Sequence, residues 1–175
     1  MKLSIPAVVG VMLVAAQAHA MELTSANIAN GASLSPAQVH AQCGGGNQSP
    51  ALSWSDGPPE TKSYALTVFD TDVHGGWWHW LVFNIPPNIR SLPTDAGGTV
   101  GLPTGAVQAQ NDFGVSGYGG ACPPSGSGTH HYEFTLWALD APNVPFDAKA
   151  TGANVGPFLK AHAVATSKLV AVYQR

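Results

Sequence analysis

The chain has 175 residues, 45% of them hydrophobic and only 10% charged, with 7 Lys and Arg against 10 Asp and Glu and a net charge of −3. This length suffices for one domain with a sizeable buried core. A nucleic-acid-binding protein usually clusters Lys and Arg on one face, because the phosphate backbone supplies most of its affinity, and these few scattered cations argue against that class. Low hydrophobicity with high net charge marks a disordered chain, and this sequence has neither property.

The first twenty residues have the order of a secretory signal peptide. Lys2 is followed by an apolar run over residues 5–16 and then by Ala18-His19-Ala20, which predicts cleavage before Met21. The run is shorter than the ~20 residues that a membrane-spanning helix needs. We therefore expect an exported protein, periplasmic or secreted and not integral to the membrane, with an uncleaved anchor as the alternative.

The sequence contains two cysteines, Cys43 and Cys122, and the expected export determines their redox state. An oxidising compartment favours disulfides, so we predict one bond between them, with two separate thiols as the alternative. No CxxC or Cys/His spacing suggests zinc, and neither a metal nor another cofactor is expected.

Strand-length apolar runs alternate with turn residues along the rest of the chain, which contains 20 Gly and 14 Pro. Residues 64–69 and 80–85 are rich in β-branched and aromatic side chains and predict strands buried on both faces. Residues 132–139 alternate, with Tyr132, Phe134, Leu136 and Ala138 on one face, which predicts a strand packed on at least one side.

Near the end of the chain, apolar residues recur at spacings of four and three. They are Phe158, His162, Ala165, Leu169 and Val172. This spacing predicts an amphipathic helix with Pro157 in its first turn and His162 as a packing residue. We expect a single, mainly β domain over residues 21–175 that is closed by a C-terminal helix.

Three clusters of polar or aromatic residues stand at predicted strand ends. They are Asp70 with Asp72, Trp77-Trp78-His79-Trp80, and His130-His131-Tyr132. If these strand ends converge, their groups would line one pocket for a small polar or phosphorylated ligand, with aromatic walls. As alternatives, aspartates after strands are common turn formers, and tryptophans beside strands usually belong to the core. A metal site is disfavoured because no spacing matches a familiar ligand motif.

Seven short motifs follow one another along the mature chain. They are Ser49-Pro50-Ala51-Leu52-Ser53-Trp54, Asp70-x-Asp72, Trp77-Trp78-His79-Trp80, Asn111-Asp112-Phe113-Gly114, Gly117-Tyr118-Gly119-Gly120, Cys122-Pro123-Pro124 and His130-x-Tyr132. In this order they resemble the phosphatidylethanolamine-binding protein family, in its bacterial branch often labelled Raf-kinase-inhibitor-like. The resemblance runs from about Leu23 to Tyr173.

The resemblance implies a large antiparallel β-sheet packed with a smaller one, a C-terminal helix beside the pocket, and a pocket for phosphate-like anions. The family's pocket residues match Asp70, Asp72, His79, His130 and Tyr132. The Gly-Tyr-Gly-Gly stretch with Gly119 and the Cys122-Pro123-Pro124 stretch would form a wall beside them. Because carboxylates repel an anion, the two aspartates are expected to orient His79, His130 or backbone donors.

Two departures from the family pattern concern the pocket rim. Prolines that members commonly carry are replaced by Thr71 and His74, which should leave the rim more flexible or differently shaped. His131 stands where the family often has Arg, so a permanently charged phosphate partner is exchanged for a group that titrates near neutral pH. Anion affinity should therefore rise as the pH falls.

The sequence favours a non-catalytic binding protein for phosphorylated small molecules or phospholipid head groups, with a protein partner as a further expectation. One alternative is a hydrolase that uses His79 or His130 as general base with Asp70 or Asp72. No Gly-x-Ser-x-Gly motif supports a nucleophilic serine there. The other alternative is a protease or kinase inhibitor that acts through surface loops.

Overall fold

The computed structural model describes residues 20–98 and 100–175, so the predicted signal peptide lies outside the described residues except for Ala20. Within these ranges the chain forms eight strands and one α-helix. In chain order they are β1 (Leu23–Ser25), β2 (Leu52–Trp54), β3 (Ser63–Asp70), β4 (Trp77–Ile85), β5 (Ser91–Leu92), β6 (Val107–Gln108), β7 (His130–Leu139), α1 (Gly152–His162) and β8 (Ala163–Tyr173). Two short 3-10 helices, Pro36–Gln38 and Ala41–Cys43, precede β2.

The strands form a smaller and a larger antiparallel sheet. The smaller has the order β1-β2-β5 and the larger the order β6-β4-β3-β7-β8. The predicted mainly β architecture with two sheets and one helix near the C-terminus is confirmed.

The larger sheet is covered on both faces. On one face Phe134 and Leu136 of β7 join a core that includes Leu52 and Trp54 of the smaller sheet. On the other face Leu139 packs in a second core with residues of α1. Strands β3 and β4 are buried along most of their length, as their apolar runs predict, because they occupy the middle of this sandwich.

The predicted C-terminal helix is half right. Helix α1 begins at Gly152 and ends at His162, and the chain continues as strand β8, which pairs with β7 along its whole length. Pro157 therefore stands inside the helix and not in its first turn. His162 was expected to be a packing residue. Its ring stacks on Phe158, but the side chain is partly exposed and bonds the carboxylate of Asp140.

The helix also lies away from the pocket described below. Val155 and Leu159 pack on the face of the large sheet opposite to the one that holds Tyr132. Of the described residues that line the pocket, none comes from α1. The expectation of a helix beside the pocket is therefore wrong, because α1 serves to cover the second core.

Candidate functional site

Three strand ends meet at one end of the large sheet. Because β3 lies between β4 and β7 and is antiparallel to both, its last residue adjoins the first residues of its neighbours. Asp70 is paired in register with Trp77 on one side and with Tyr132 on the other. The topology thus brings together the three clusters, the first and third of which are 60 residues apart in the sequence.

A pocket of about 240 Å³ opens at this end of the sheet. It is lined by Asp70, Val73, Trp77, His79, Phe113, Cys122, Pro123, Pro124, His130 and Tyr132. Four of the six ligand-binding residues expected from the sequence are among these. The other two do not line the pocket, but each contacts a residue that does: Asp72 bonds Asp70, and Gly119 bonds His79.

Asp70 is engaged by the protein on both of its carboxylate oxygens. Its Oδ2 lies 2.7 Å from Nδ1 of His130, and its Oδ1 accepts the backbone N–H of Asp72 at 2.9 Å. Asp70 and His130 are both buried, with 2% and 5% of their surfaces exposed. The geometry fits a carboxylate that orients an imidazole, which is the role expected for it.

His130 makes a further contact with its second ring nitrogen. Its Nε2 lies 2.9 Å from Oγ of Ser127, an exposed residue of the loop before β7. The two nitrogens of His130 are therefore both occupied, one by a buried carboxylate and the other by a hydroxyl group at the pocket rim.

His79 is oriented by a backbone carbonyl and not by a carboxylate. Its Nδ1 lies 2.7 Å from the carbonyl oxygen of Gly119, so Nδ1 carries a hydrogen and donates it. Burial lowers the pKa of His79 below its ordinary value, although the bond to Gly119 opposes this shift. At pH 7 the ring is accordingly neutral, and Nε2 is an unprotonated acceptor.

Two buried donors of the pocket residues have no partner. Oη of Tyr132 and Nε1 of Trp77 make no hydrogen bond with any described residue. Burial, the nearby charge of Asp70 and hydrogen bonding toward that carboxylate raise the pKa of Tyr132, so its hydroxyl keeps its hydrogen. A buried polar group without a partner typically costs about 1–3 kcal/mol, which makes both groups candidates to bind an acceptor on a ligand.

Asp72 belongs to the exposed rim together with His131. Its Oδ2 accepts the backbone N–H of His131 at 2.7 Å and lies 3.0 Å from the Nδ1 of that residue. Partial burial would raise the pKa of Asp72, but these hydrogen bonds outweigh it and lower the pKa. The pair joins the end of β3 to the start of β7 at the edge of the pocket.

The rim between β3 and β4 is a tight turn. Gly76 donates its N–H to the carbonyl oxygen of Val73 at 2.7 Å, and its φ of 75° is in the left-handed region. A Cβ at Gly76 would collide with the ring of Phe69. This turn places Val73 against the pocket.

Aromatic rings in edge-to-face contact form one wall. The ring centroids of His79 and Tyr132 are 5.1 Å apart, those of Phe113 and His79 are 5.4 Å apart, and those of Trp77 and Phe113 are 5.6 Å apart. Sequence reasoning did not assign Phe113 or Ser127 to the site. Phe113 stands in a motif that carried the resemblance, but no local signal indicates which way its loop turns.

Cys43 and Cys122 form a disulfide in the structure, with their Cα atoms 5.7 Å apart. Cys122 lines the pocket, while Cys43 ends the second 3-10 helix. The bond therefore ties that helix to the Cys122-Pro123-Pro124 wall.

Comparison with known proteins identifies the relatives of this chain. The family model described as "Phosphatidylethanolamine-binding protein" matches residues 24–174. The UPF0098 protein YbcL of Escherichia coli is 49% identical over 165 residues, covering 91% of this chain and 90% of YbcL. The UPF0098 protein YbhB of the same species is 41% identical over 158 residues, covering 87% and 99% of the two chains.

A solved structure agrees with this relationship. The crystal structure of E. coli YbcL, described as a new member of the mammalian PEBP family, superposes with a TM-score of 0.86 at 47% identity, covering 90% of this chain and 99% of that one. A relative from Mycobacterium tuberculosis, LppC, is named as a candidate lipoprotein and is 36% identical over 158 residues, covering 90% of this chain and 74% of LppC. Among the described residues of this chain, no helix has the length and hydropathy to cross a membrane.

Proposed function

Because the chain belongs to the phosphatidylethanolamine-binding protein family, we propose that its pocket binds phosphate-like anions, either on phosphorylated small molecules or on phospholipid head groups. The family is named for binding and not for a reaction. The observation that supports this ligand class is the pair of buried donors without partners, Tyr132 Oη and Trp77 Nε1, on two residues that line one pocket. A phosphate oxygen is an acceptor that would satisfy both.

His79 supplies a third contact that depends on protonation. In its neutral state its Nε2 is an acceptor, which suits a phosphate oxygen that carries a hydrogen. A fully ionised phosphate would instead favour the protonated ring, because a nearby negative charge stabilises imidazolium. Binding of the ionised form is therefore expected to take up a proton, and affinity is expected to rise as the pH falls.

The dimensions of the pocket favour a small ligand. A volume of about 240 Å³ is below the roughly 300–1,000 Å³ typical of drug-sized sites. A single phosphate or a head group such as phosphoethanolamine fits this range. Trp77 and Phe113 also line the pocket and would be aromatic neighbours of the ammonium group of an ethanolamine head group.

We further propose that the protein acts outside the cytoplasm. The signal-peptide pattern with cleavage before Met21 supports export. The name of the mycobacterial relative LppC agrees with a place in the cell envelope.

Ligand-dependent melting tests the proposal. Phosphate and phosphoethanolamine, added separately, should each raise the melting temperature of the wild type, because a ligand that binds only the folded state stabilises it. A larger shift with phosphoethanolamine indicates a head-group site, whereas equal shifts indicate a site for the phosphate alone. The double substitution His130→Ala with Tyr132→Phe should abolish both shifts, and an unchanged shift in that variant would reject the site.

A hydrolase is the second candidate, supported by the Asp70–His130 pair, which has the geometry of an oriented general base. It predicts turnover of simple esters or phosphoesters that is lost in His79→Ala or His130→Ala while the fold is kept. Absence of turnover in the wild type would leave the binding function as the better account.

A further inference from the structure

Ser127, His130 and Asp70 form a continuous line of side chains at the rim of the pocket. Oγ of Ser127 lies 2.9 Å from Nε2 of His130, whose Nδ1 lies 2.7 Å from Oδ2 of Asp70. The other oxygen of Asp70 is held by the N–H of Asp72 at 2.9 Å. This order and these distances are those of a nucleophilic hydroxyl, an imidazole that acts as its general base, and a carboxylate that orients the base.

The single hydrogen of the Ser127 hydroxyl has two possible acceptors. Oγ lies 2.8 Å from the carbonyl oxygen of Pro124 as well as 2.9 Å from Nε2 of His130. When His130 is neutral with its hydrogen on Nδ1 toward Asp70, the hydroxyl donates to Nε2. The carbonyl of Pro124 then still accepts the backbone N–H of Ser127 at 3.1 Å. In the neutral ring, Nε2 can therefore act as general base for the hydroxyl. The carbonyl oxygen of Pro124 keeps a hydrogen-bond donor in this state.

Protonation of His130 reverses this arrangement. Nε2 then carries a hydrogen and donates it to Oγ, and the hydroxyl turns to Pro124. In that state the serine has no base. Its reactivity is therefore tied to the neutral form of His130.

Of the three residues Ser127, His130 and Asp70, the serine is the one that solvent and reagents can reach. Ser127 is exposed between Gly126 and Gly128, whose φ angles of 80° and 91° turn the loop. Its two partners in the line, His130 and Asp70, are buried. Ser127 is not among the lining residues, but its Oγ lies 2.8 Å from the carbonyl oxygen of Pro124 and 2.9 Å from Nε2 of His130, which both line the pocket. A molecule bound beside these two residues would therefore lie next to the serine.

We propose that Ser127 is a nucleophile that accepts acyl groups from activated carboxylic esters. Oγ attacks the carbonyl carbon while its hydrogen passes to Nε2 of His130. The bond from that carbon to the alcohol oxygen then breaks, and the departing alcohol takes the hydrogen from Nε2. The products are an ester on Ser127 and the free alcohol, and water releases the acyl group by the same two proton transfers. This inference does not rest on the anion-binding proposal.

The test treats the folded wild-type protein with 4-nitrophenyl butyrate and follows both nitrophenolate release and the intact mass. One butyryl group should appear, and peptide mapping should place it on Ser127. Ser127→Ala should lose the adduct, whereas Ser125→Ala, which removes an equally exposed serine from the same loop, should keep it. Butyrylation of lysines with none on Ser127, or equal rates at Ser125 and Ser127, would overturn the proposal.

The role of the base is tested separately. His130→Gln should slow acylation of Ser127 by about 100-fold or more, the usual contribution of a general base. An undiminished rate in a folded His130→Gln protein would contradict the assignment. If this variant does not fold, peptide mapping of the wild type and of Ser125→Ala still decides whether Ser127 is the residue that is acylated. Asp70 is a positioning residue, so Asp70→Asn should slow the acylation of Ser127 at saturating ester while leaving the KM for the ester unchanged, a split that a merely structural carboxylate would not produce.

Discussion

Asp70 and Tyr132 are opposed in register on β3 and β7, yet the tyrosine hydroxyl makes no hydrogen bond within the described chain. Both oxygens of Asp70 are already engaged, one by His130 and the other by the N–H of Asp72. Asp70 is near enough to raise the pKa of Tyr132 by its charge and by hydrogen bonding, yet no bond of full hydrogen-bond geometry joins the two side chains. This arrangement leaves the donor available for a ligand.

Tyr132→Phe is expected to leave the stability of the ligand-free protein unchanged or slightly higher. The substitution removes a buried hydroxyl that has no partner, so no hydrogen bond is lost. Tyr118→Phe is the matched control, because the Tyr118 hydroxyl donates to the carbonyl oxygen of Gln38 at 3.0 Å. It should lower the free energy of unfolding by about 1 kcal/mol.

Urea unfolding of both variants in phosphate-free buffer measures these effects. A loss in Tyr132→Phe as large as in Tyr118→Phe would mean that the Tyr132 hydroxyl has a partner in the ligand-free protein.

Asp70→Asn is expected to destabilise the fold by about 2–3 kcal/mol. The change keeps the shape of the side chain but weakens a buried, charge-assisted hydrogen bond to His130. Asp72→Asn, at the exposed rim, should cost much less, since exposed pairs contribute little. Chemical denaturation measures the free energy of unfolding of the two variants. Equal losses of stability would contradict the assignment of Asp70 to a buried pair and Asp72 to an exposed one.

Stability should fall as the pH drops from 7 toward 5. The folded-state pKa of His79 lies below its unfolded value of about 6.5. As the pH falls through that unfolded value, the unfolded chain takes up a proton that the folded chain does not, so the free energy of unfolding decreases. His40, whose pKa burial also lowers, contributes in the same direction.

His79→Gln should flatten this dependence, whereas His74→Gln, in the exposed rim, should leave its slope unchanged. Melting temperatures across this range in non-binding buffers are the measurement. The same slope in wild type and His79→Gln would show that His79 does not govern it.

Loss of the disulfide should cost roughly 4 kcal/mol in the loop-entropy account of such bonds. The bond between Cys43 and Cys122 closes a loop with a sequence separation of 79. Cys43→Ser with Cys122→Ser, unfolded in denaturant beside the wild type, measures the cost. Thiol labelling of the unreduced protein is the companion experiment, and two reactive thiols there would show that the bond does not form.

The sequence predicts the strands around the site better than it predicts the end of the chain. Apolar runs with aromatic and β-branched residues define β3 and β4, which are buried along most of their length, and the alternating pattern defines β7, whose second face is only partly buried. The segment after His162 was wrongly predicted as helix, since Ala165 and Leu169 fit a helical stripe. Val164, Thr166, Val170 and Val172 favour a strand, and pairing with β7 decides the outcome.

Other parts of the site depend on the course of loops. The stacking of His40 on Phe113 and the contact of Ser127 with His130 arise from turns without a characteristic spacing. The partner of His79 is a backbone carbonyl, that of Gly119, and no side-chain pattern reveals such a group. Chemical type and strand position could be predicted from the sequence, whereas the pairing of individual atoms could not.

The most direct test of the anion pocket is a crystal structure of the protein with phosphoethanolamine. The account predicts density for the phosphate group within hydrogen-bond distance of Tyr132 Oη and Trp77 Nε1. Water alone in the pocket at a saturating ligand concentration, with phosphate only at surface lysines or arginines, would contradict it.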